Sequence, residues 1–222
     1  EQLQHKGWTL DQTAVLVRAS FQMRELENRF DQLGLSCKII GGPRFYERQE
    51  IRDALAYFRV IAQSADDLAL ERIINVPKRG IGDTTIHMLY SVARSKGSSL
   101  YVAIQQLLDT DELKPKIKVT LAQVIGNFER WRSLSVGDGH AVLAAQVLDE
   151  SGYIAMWQAD KSVDAPGRIE NLKELVSGMS QYESLQQFLE YVALVLERND
   201  NQGEAAISIM TLHGAKGLEF DA

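Results

Sequence analysis

Between Glu47 and Arg198 apolar side chains return every three to four residues, and this long helical rhythm limits the possible folds more than any other feature. Ile51, Leu55, Phe58 and Ile61 open it, and the flanking residues do not share it. Residues 13–19 form a short apolar run rich in β-branched side chains, as a buried strand requires. Ser20 then stands as a helix cap. Met23, Leu26, Phe30 and Leu33 follow at spacings of three, four and three, and Gly34 occupies the place of a left-handed terminal residue. Residues 37–40 read as a second strand ended by Gly41, Gly42 and Pro43, which makes the first 43 residues a β-α-β unit. Residues 206–212 return to strand character after the polar stretch 199–203. A helical block bracketed in this way predicts an insertion, in which both strand-bearing ends share one sheet and the helices form a separate lobe. The expected fold is mainly α, an all-helical domain over 65–203 inserted into a partial α/β domain made of 1–64 and 204–222.

Breaks within the helical block are expected at 77–82, at 97–99, at Pro115 as a first-turn proline, at 137–139 and at 165–167. Ser184 and Gln187 have capping-box spacing ahead of a final helix carrying Leu185, Phe188, Val192 and Leu196.

Composition narrows the class. With 45% apolar and 24% charged residues the 222-residue chain is globular, not disordered or fibrous. Its longest apolar run, 191–196, falls far short of the roughly 20 residues that span a bilayer. No membrane association is expected, and with Cys37 as the only cysteine a reducing, cytoplasmic setting is the natural reading. The net charge of −6 means that any contact with nucleic acid must be local.

Several chemistries are missing. There is no Gly-Lys dipeptide, hence no G-x-x-x-x-G-K-[ST] phosphate loop, and no G-x-G-x-x-G fingerprint. His5, His87, His140 and His213 are scattered without ligand spacing, so no metal site is expected. Residues 142–150 end in Asp149-Glu150 and superficially resemble a magnesium-positioning strand, but their apolar spacing suits a helix.

The most specific run is Ile207-Ser-Ile-Met-Thr-Leu-His-Gly-Ala-Lys-Gly-Leu-Glu-Phe220, an apolar strand ending in a small-residue turn that carries hydroxyl, imidazole, ammonium and carboxylate groups. It resembles motif V of the UvrD/Rep/PcrA-type superfamily 1 DNA helicases. Residues 14–20 (Ala-Val-Leu-Val-Arg-Ala-Ser) resemble motif IV of the same family, and residues 41–57 resemble the signature that follows it. The resemblance implies a partial RecA-like motor domain 2A wrapped around an accessory domain 2B, from an ATP-dependent enzyme that unwinds DNA with 3′-to-5′ polarity. It also implies ATP and Mg2+ in the parent protein, whose P-loop and remaining motifs lie outside these residues, so that the 222 residues alone are expected to be inactive.

Residue by residue, the resemblance makes Arg18 the catalytic cation that reaches the γ-phosphate, and it places Gly217 and Glu219 in the ATP site, Glu219 on the ribose. Thr211 and His213 match positions that face single-stranded DNA. The plain alternative for Arg18 is a solvated strand end. Two departures stand out: Val17 takes the place of a tyrosine that often stacks on adenine, and Ser20 that of a common asparagine.

The loop 76–86 is the second strong signal. A Gly-x-Gly turn between helices exposes backbone N–H groups, and the following helix N-terminus adds to a concave phosphate site. Lys78 and Arg79 add mobile positive charge. The run resembles a helix-hairpin-helix and the family's 2B element that grips duplex DNA, which implies DNA contacts from Lys78, Arg79, Gly80, Ile81, Gly82 and Thr84. An ordinary helix–helix turn is the alternative, since Asp83 opposes a phosphate. Arg44, Arg48 and Arg52 read equally as a basic stripe or, with Glu47, Glu50 and Asp53, as an internal ion-pair network. Tyr46 and the dispersed Trp8, Trp131 and Trp157 suit packing better than base stacking. Two rival functions remain beside the helicase: a non-enzymatic DNA-junction module built on the hairpin, and a lobe that docks repair or transcription proteins through Glu183, Glu190 and Glu197.

Overall fold

The computed structural model of the chain describes residues 7–18, 22–40, 44–135, 139–200 and 205–220. The expected features at His5, at Ser20, at Gly41, Gly42 and Pro43, at positions 137–138 and at 201–203 lie outside the described residues. Two compact units form, residues 1–48 with 191–222 and residues 49–190. The chain passes between them at 48/49 and 190/191, where the sequence reading places domain changes at 64/65 and 203/204.

The first unit holds β1 (Ala14–Val17), α1 (Met23–Gln32), β2 (Cys37–Ile40) and β3 (Ile207–Thr211). All three strands are parallel in the order β1-β3-β2. Val17 pairs in register with Thr211, and Cys37 with Ile207. The last strand therefore occupies the gap between the first two, and Ser208 N donates to Thr13 O while Ile207 N donates to Ser36 O. Residues 207–210 are buried, as a central strand covered on both faces should be. Val17, Met23, Cys37, Ile207 and Ile209 form the core, with Leu26 and Phe30 of α1 packed against it. Gly34 closes α1 at φ +68°, and Leu35 N reaches back to Phe30 O at 2.9 Å. Leu33, expected on the buried face, lies past the last turn of α1 and is 55% exposed.

The second unit contains α2 (Gln49–Ala62), α3 (Asp67–Ile73), α4 (Asp83–Lys96), α5 (Leu100–Leu108), α6 (Pro115–Leu134), α7 (His140–Glu150), α8 (Tyr153–Ala159) and α9 (Ala165–Met179). α10 (Leu185–Asp200) spans the division at 190/191. Ser184 caps it, with Gln187 N donating to Ser184 Oγ at 3.1 Å, while Gln187 Oε1 accepts from Glu183 N at 2.7 Å, one residue before the N–H that a full capping box would use. Asn199 and Asp200, expected in a linker, are helical, because this cap starts a helix long enough to run past them. Residues 165–167, expected to break the pattern, are the first turn of α9, a position that tolerates Pro166.

α2 is the hub. Ten of its 14 residues are buried, and α3, α6, α7 and α9 pack on it. Burial includes two acids, each satisfied from other helices. Glu50 accepts from Arg168 Nη1 (2.9 Å) and Asn171 Nδ2 (2.7 Å) of α9, and Asp53 accepts from Arg72 Nε (2.7 Å) and the Tyr153 hydroxyl (2.8 Å). Glu50 and Asp53 thus pair with distant arginines, Glu47 Oε2 accepts from Arg44 N at 3.2 Å, and Arg48 is itself buried near the Phe45 ring. No exposed basic stripe results. Tyr46, Trp131 and Trp157 are buried in packing roles, as expected.

Glu150 closes α7 onto α6. Its carboxylate accepts from Arg130, from Trp131 Nε1 at 2.6 Å and from Gln146 Nε2 at 2.8 Å. These bonds, with Arg130 first among them, hold its pKa at about 2, below the usual 4.5. A depressed folded-state value stabilises the fold above the unfolded pKa and loses that contribution as pH falls through the folded one. Glu150→Gln is expected to lower stability at pH 7 by roughly 1 kcal/mol or less, since solvent screens the pair. The gap from the parent should close between pH 4.5 and about 2, as read from urea midpoints.

Candidate functional site

Two regions hold the residues singled out by sequence, one in each unit. In the first, parallel pairing places the carboxyl ends of β1 and β3 side by side, and Leu212 N donates to Val17 O at 2.9 Å. Open parallel sheets collect ligands along this edge, because the loops that follow the strands diverge there. Arg18 leaves β1 at this edge, exposed, its backbone N–H held by Gln22 Oε1 at 3.0 Å. Its side chain has no protein partner among the described residues, so the guanidinium is free for a ligand.

Beyond Thr211 the chain winds through turns over 212–217. Thr211 anchors them: its Oγ1 accepts from Gly214 N at 3.0 Å and its carbonyl from Ala215 N at 3.0 Å. A Cβ on Gly214 would stand 3.3 Å from Thr211 Oγ1, so a side chain there would press on the hydroxyl that anchors the turn. Gly217 has φ +87°, and Leu218 N donates to Ala215 O at 3.0 Å. His213, Lys216, Gly217 and Glu219 are all exposed on or just after this turn. Arg18, Thr211 and the turn thus converge on one sheet edge, and Glu219 follows them.

In the second unit, the segment between α3 and α4 is a rigid hairpin. Asn75 Oδ1 accepts from Arg79 N at 2.8 Å and from Ile81 N at 3.2 Å, and Ile81 is fully buried. Gly80 adopts φ +79°, and Gly82 caps α4 with its carbonyl on Thr85 N at 2.9 Å. Lys78, Gly80, Gly82, Asp83 and Thr84 are exposed around the start of α4, where the Asp83 and Thr84 amides precede the first intrahelical bonds.

Arg79 departs from the sequence reading. It is not a mobile cation: Nη1 donates to Ile73 O (2.8 Å), Ile74 O (3.1 Å) and Val76 O (3.0 Å), and Nη2 to the Tyr57 hydroxyl (2.6 Å) and Ser151 O (3.3 Å). The carboxyl end of α3 leaves carbonyls without helical partners, and the guanidinium fork satisfies them. Tyr57 in turn donates to Val76 O at 2.6 Å, and burial pushes its hydroxyl above the ordinary value of 10, keeping it protonated. Asn75, Tyr57 and Ser151 are structural supports of the hairpin that sequence reasoning missed. An asparagine just past a helix end is a turn signal that could have marked Asn75, whereas Tyr57 and Ser151, 22 and 72 residues from Arg79, leave no local trace.

Comparison with known proteins adds the following. Residues 1–222 match the family model described as UvrD-like helicase C-terminal domain. DNA helicase II of Rickettsia typhi is 43% identical over 211 residues, which cover 94% of this chain and 32% of that protein. DNA helicase II of Escherichia coli K12 is 36% identical over 229 residues, 98% of this chain and 32% of the relative. ATP-dependent DNA helicase PcrA of Bacillus subtilis is 35% identical over 227 residues, 95% of this chain and 30% of the relative. The chain spans about a third of the length of these relatives. No helix among the described residues is long and apolar enough to cross a membrane.

Proposed function

The chain belongs to the UvrD-like helicase C-terminal domain family, and on that premise we propose that it is part of an ATP-dependent DNA helicase that moves 3′ to 5′ along one strand. Residues 1–64 and 204–222 contribute to motor domain 2A, and residues 65–203 form accessory domain 2B. One observation carries the reading: Arg18 and the turn that leads to Gly217 and Glu219 leave neighbouring parallel strands at the same edge. A cation for the γ-phosphate and a carboxylate for the ribose belong together, because both act on one nucleotide. Thr211 ties that turn to the strand, and His213 beside it faces single-stranded DNA, so nucleotide and DNA contacts share a rigid support. ATP and Mg2+ bind the parent protein with a phosphate loop contributed from outside these residues.

In the helical unit, the α4 amides, Lys78, Gly80, Gly82 and Thr84 contact duplex backbone near the single-strand junction. Ile81 anchors the hairpin from beneath, and Arg79 positions it. The contact is sequence-independent, as phosphate recognition by backbone amides and one lysine must be.

The test is strand separation by the full-length protein on duplexes with a 3′ or a 5′ single-stranded tail. ATP-dependent unwinding is expected from the 3′-tailed substrate, and the isolated 222 residues should show no DNA-stimulated ATP hydrolysis. Unwinding confined to the 5′-tailed substrate would overturn the polarity, and none on either would overturn the helicase reading.

A further inference from the structure

At the carboxyl end of β1 the strand ladder stops one residue short of Arg18. Thr13 O accepts from Ser208 N and Val17 O accepts from Leu212 N, so the odd-numbered residues of β1 bond to β3. Alternation along the strand then turns the Arg18 N–H the other way, toward the outer edge of the sheet. Among the described residues β3 is the one sheet neighbour of β1, so no strand meets that N–H. Gln22 Oε1 accepts from it instead, at 3.0 Å.

Gln22 can act as a fixed post because of where it stands. It immediately precedes α1, and the next two residues, Met23 and Arg24, are only 3% and 4% exposed. Met23 belongs to the core that also holds Val17, Ile207 and Ile209. The carboxamide therefore carries the rigidity of a packed helix start back to the main chain of Arg18. On β3 another side-chain oxygen does comparable work, since Thr211 Oγ1 accepts from Gly214 N in the turn that leads to Gly217 and Glu219. Each strand end at the candidate site is thus held by a side-chain acceptor that is not itself part of a ladder.

We propose that Gln22 is a positioning residue for Arg18: by holding the Arg18 N–H it sets the direction in which the guanidinium leaves β1 toward a nucleotide. The proposal rests on the helicase reading, which gives Arg18 its role at the γ-phosphate. Arginine reaches its target through a long, rotatable side chain, and fixing the backbone at its base narrows the volume that the guanidinium samples. Gln22 acts only through Arg18 and touches neither nucleotide nor DNA. A single hydrogen bond makes a modest difference, so the effect is a few-fold and far smaller than the loss of Arg18 itself.

The experiment measures DNA-stimulated ATP hydrolysis by the full-length protein. Gln22→Met removes the acceptor and keeps the side-chain length; kcat is expected to fall about fivefold, with KM for ATP changed by less than about twofold. The melting temperature should not change, because Gln22 is exposed. Gln22→Glu, which keeps an oxygen acceptor in that place, should recover most of the lost rate. In an Arg18→Ala background Gln22→Met should cost nothing further, because the group it positions is gone. With Arg18→Ala still strongly impaired, three results would each overturn the proposal alone: a Gln22→Met loss below about twofold, equal losses in the Met and Glu variants, or a further loss of about fivefold in the double variant. Turnover by Arg18→Ala equal to that of the parent would overturn the role of Arg18, and the proposal with it.

Discussion

Arg18→Ala in the full-length protein is expected to lower ATP turnover about 10³-fold or more, with single-strand affinity changed by less than about threefold. The large effect follows from position and chemistry. Arg18 stands exposed at the carboxyl end of β1, its side chain unpaired among the described residues. Its removal leaves no buried group unsatisfied, so the fold should not notice it. A planar guanidinium facing a transferring phosphoryl group stabilises charge that develops only in the transition state, and the loss should fall on kcat. Arg18→Lys keeps the charge but not the fork, so it should recover only part of the rate. Steady-state ATPase assays alongside DNA-binding titrations decide the matter. Equal losses of turnover and affinity would mean that Arg18 shapes the sheet edge and not the reaction.

Arg79→Ala should have the largest structural effect of any change in the hairpin, with helical-unit stability falling by about 3 kcal/mol or more. Five acceptors lose a charged donor together; Ile73 O keeps Val76 N and Val76 O keeps the Tyr57 hydroxyl, but the fork that joins the end of α3 to Tyr57 and Ser151 is gone. Arg79→Lys should rescue little, because an ammonium cannot reach two helices and a loop in one plane. Lys78 offers the contrast. It is exposed on the same loop, so Lys78→Ala should leave the melting temperature unchanged while lowering the salt slope of duplex binding by about one. Thermal melts and salt titrations of both variants separate the two roles. Equal salt-slope changes without loss of stability would return Arg79 to a direct phosphate contact.

Much of this architecture is legible in the sequence because its signals are local. Gly34 after α1, Ser184 with Gln187 before α10 and the three-to-four rhythm of α2 each record an interaction between residues close in the chain. The turn over 212–217 is legible too, since Gly217 sits at a positive φ that strains any other residue and Gly214 lies close against Thr211. Glu50 and Asp53 were harder to read. Their nearest cations in sequence are Arg48 and Arg52, yet packing brings Arg168 and Arg72 to them from other helices. Sequence proximity ranked the partners wrongly because adjacent positions on a helix point in different directions, and burial selects the partner on the facing helix.

By itself, then, the sequence determined most of the strands and helices, that the ends share α/β character around a helical block, and where Gly34 and Gly217 stand. Only the tertiary structure decided that β3 lies between β1 and β2, and that Lys78 points outward while Arg79 turns in. The division has one physical cause. Backbone conformation responds to neighbours within a few residues, so local periodicity records it, whereas the direction in which a charged side chain finds its acceptors depends on groups brought close only by packing.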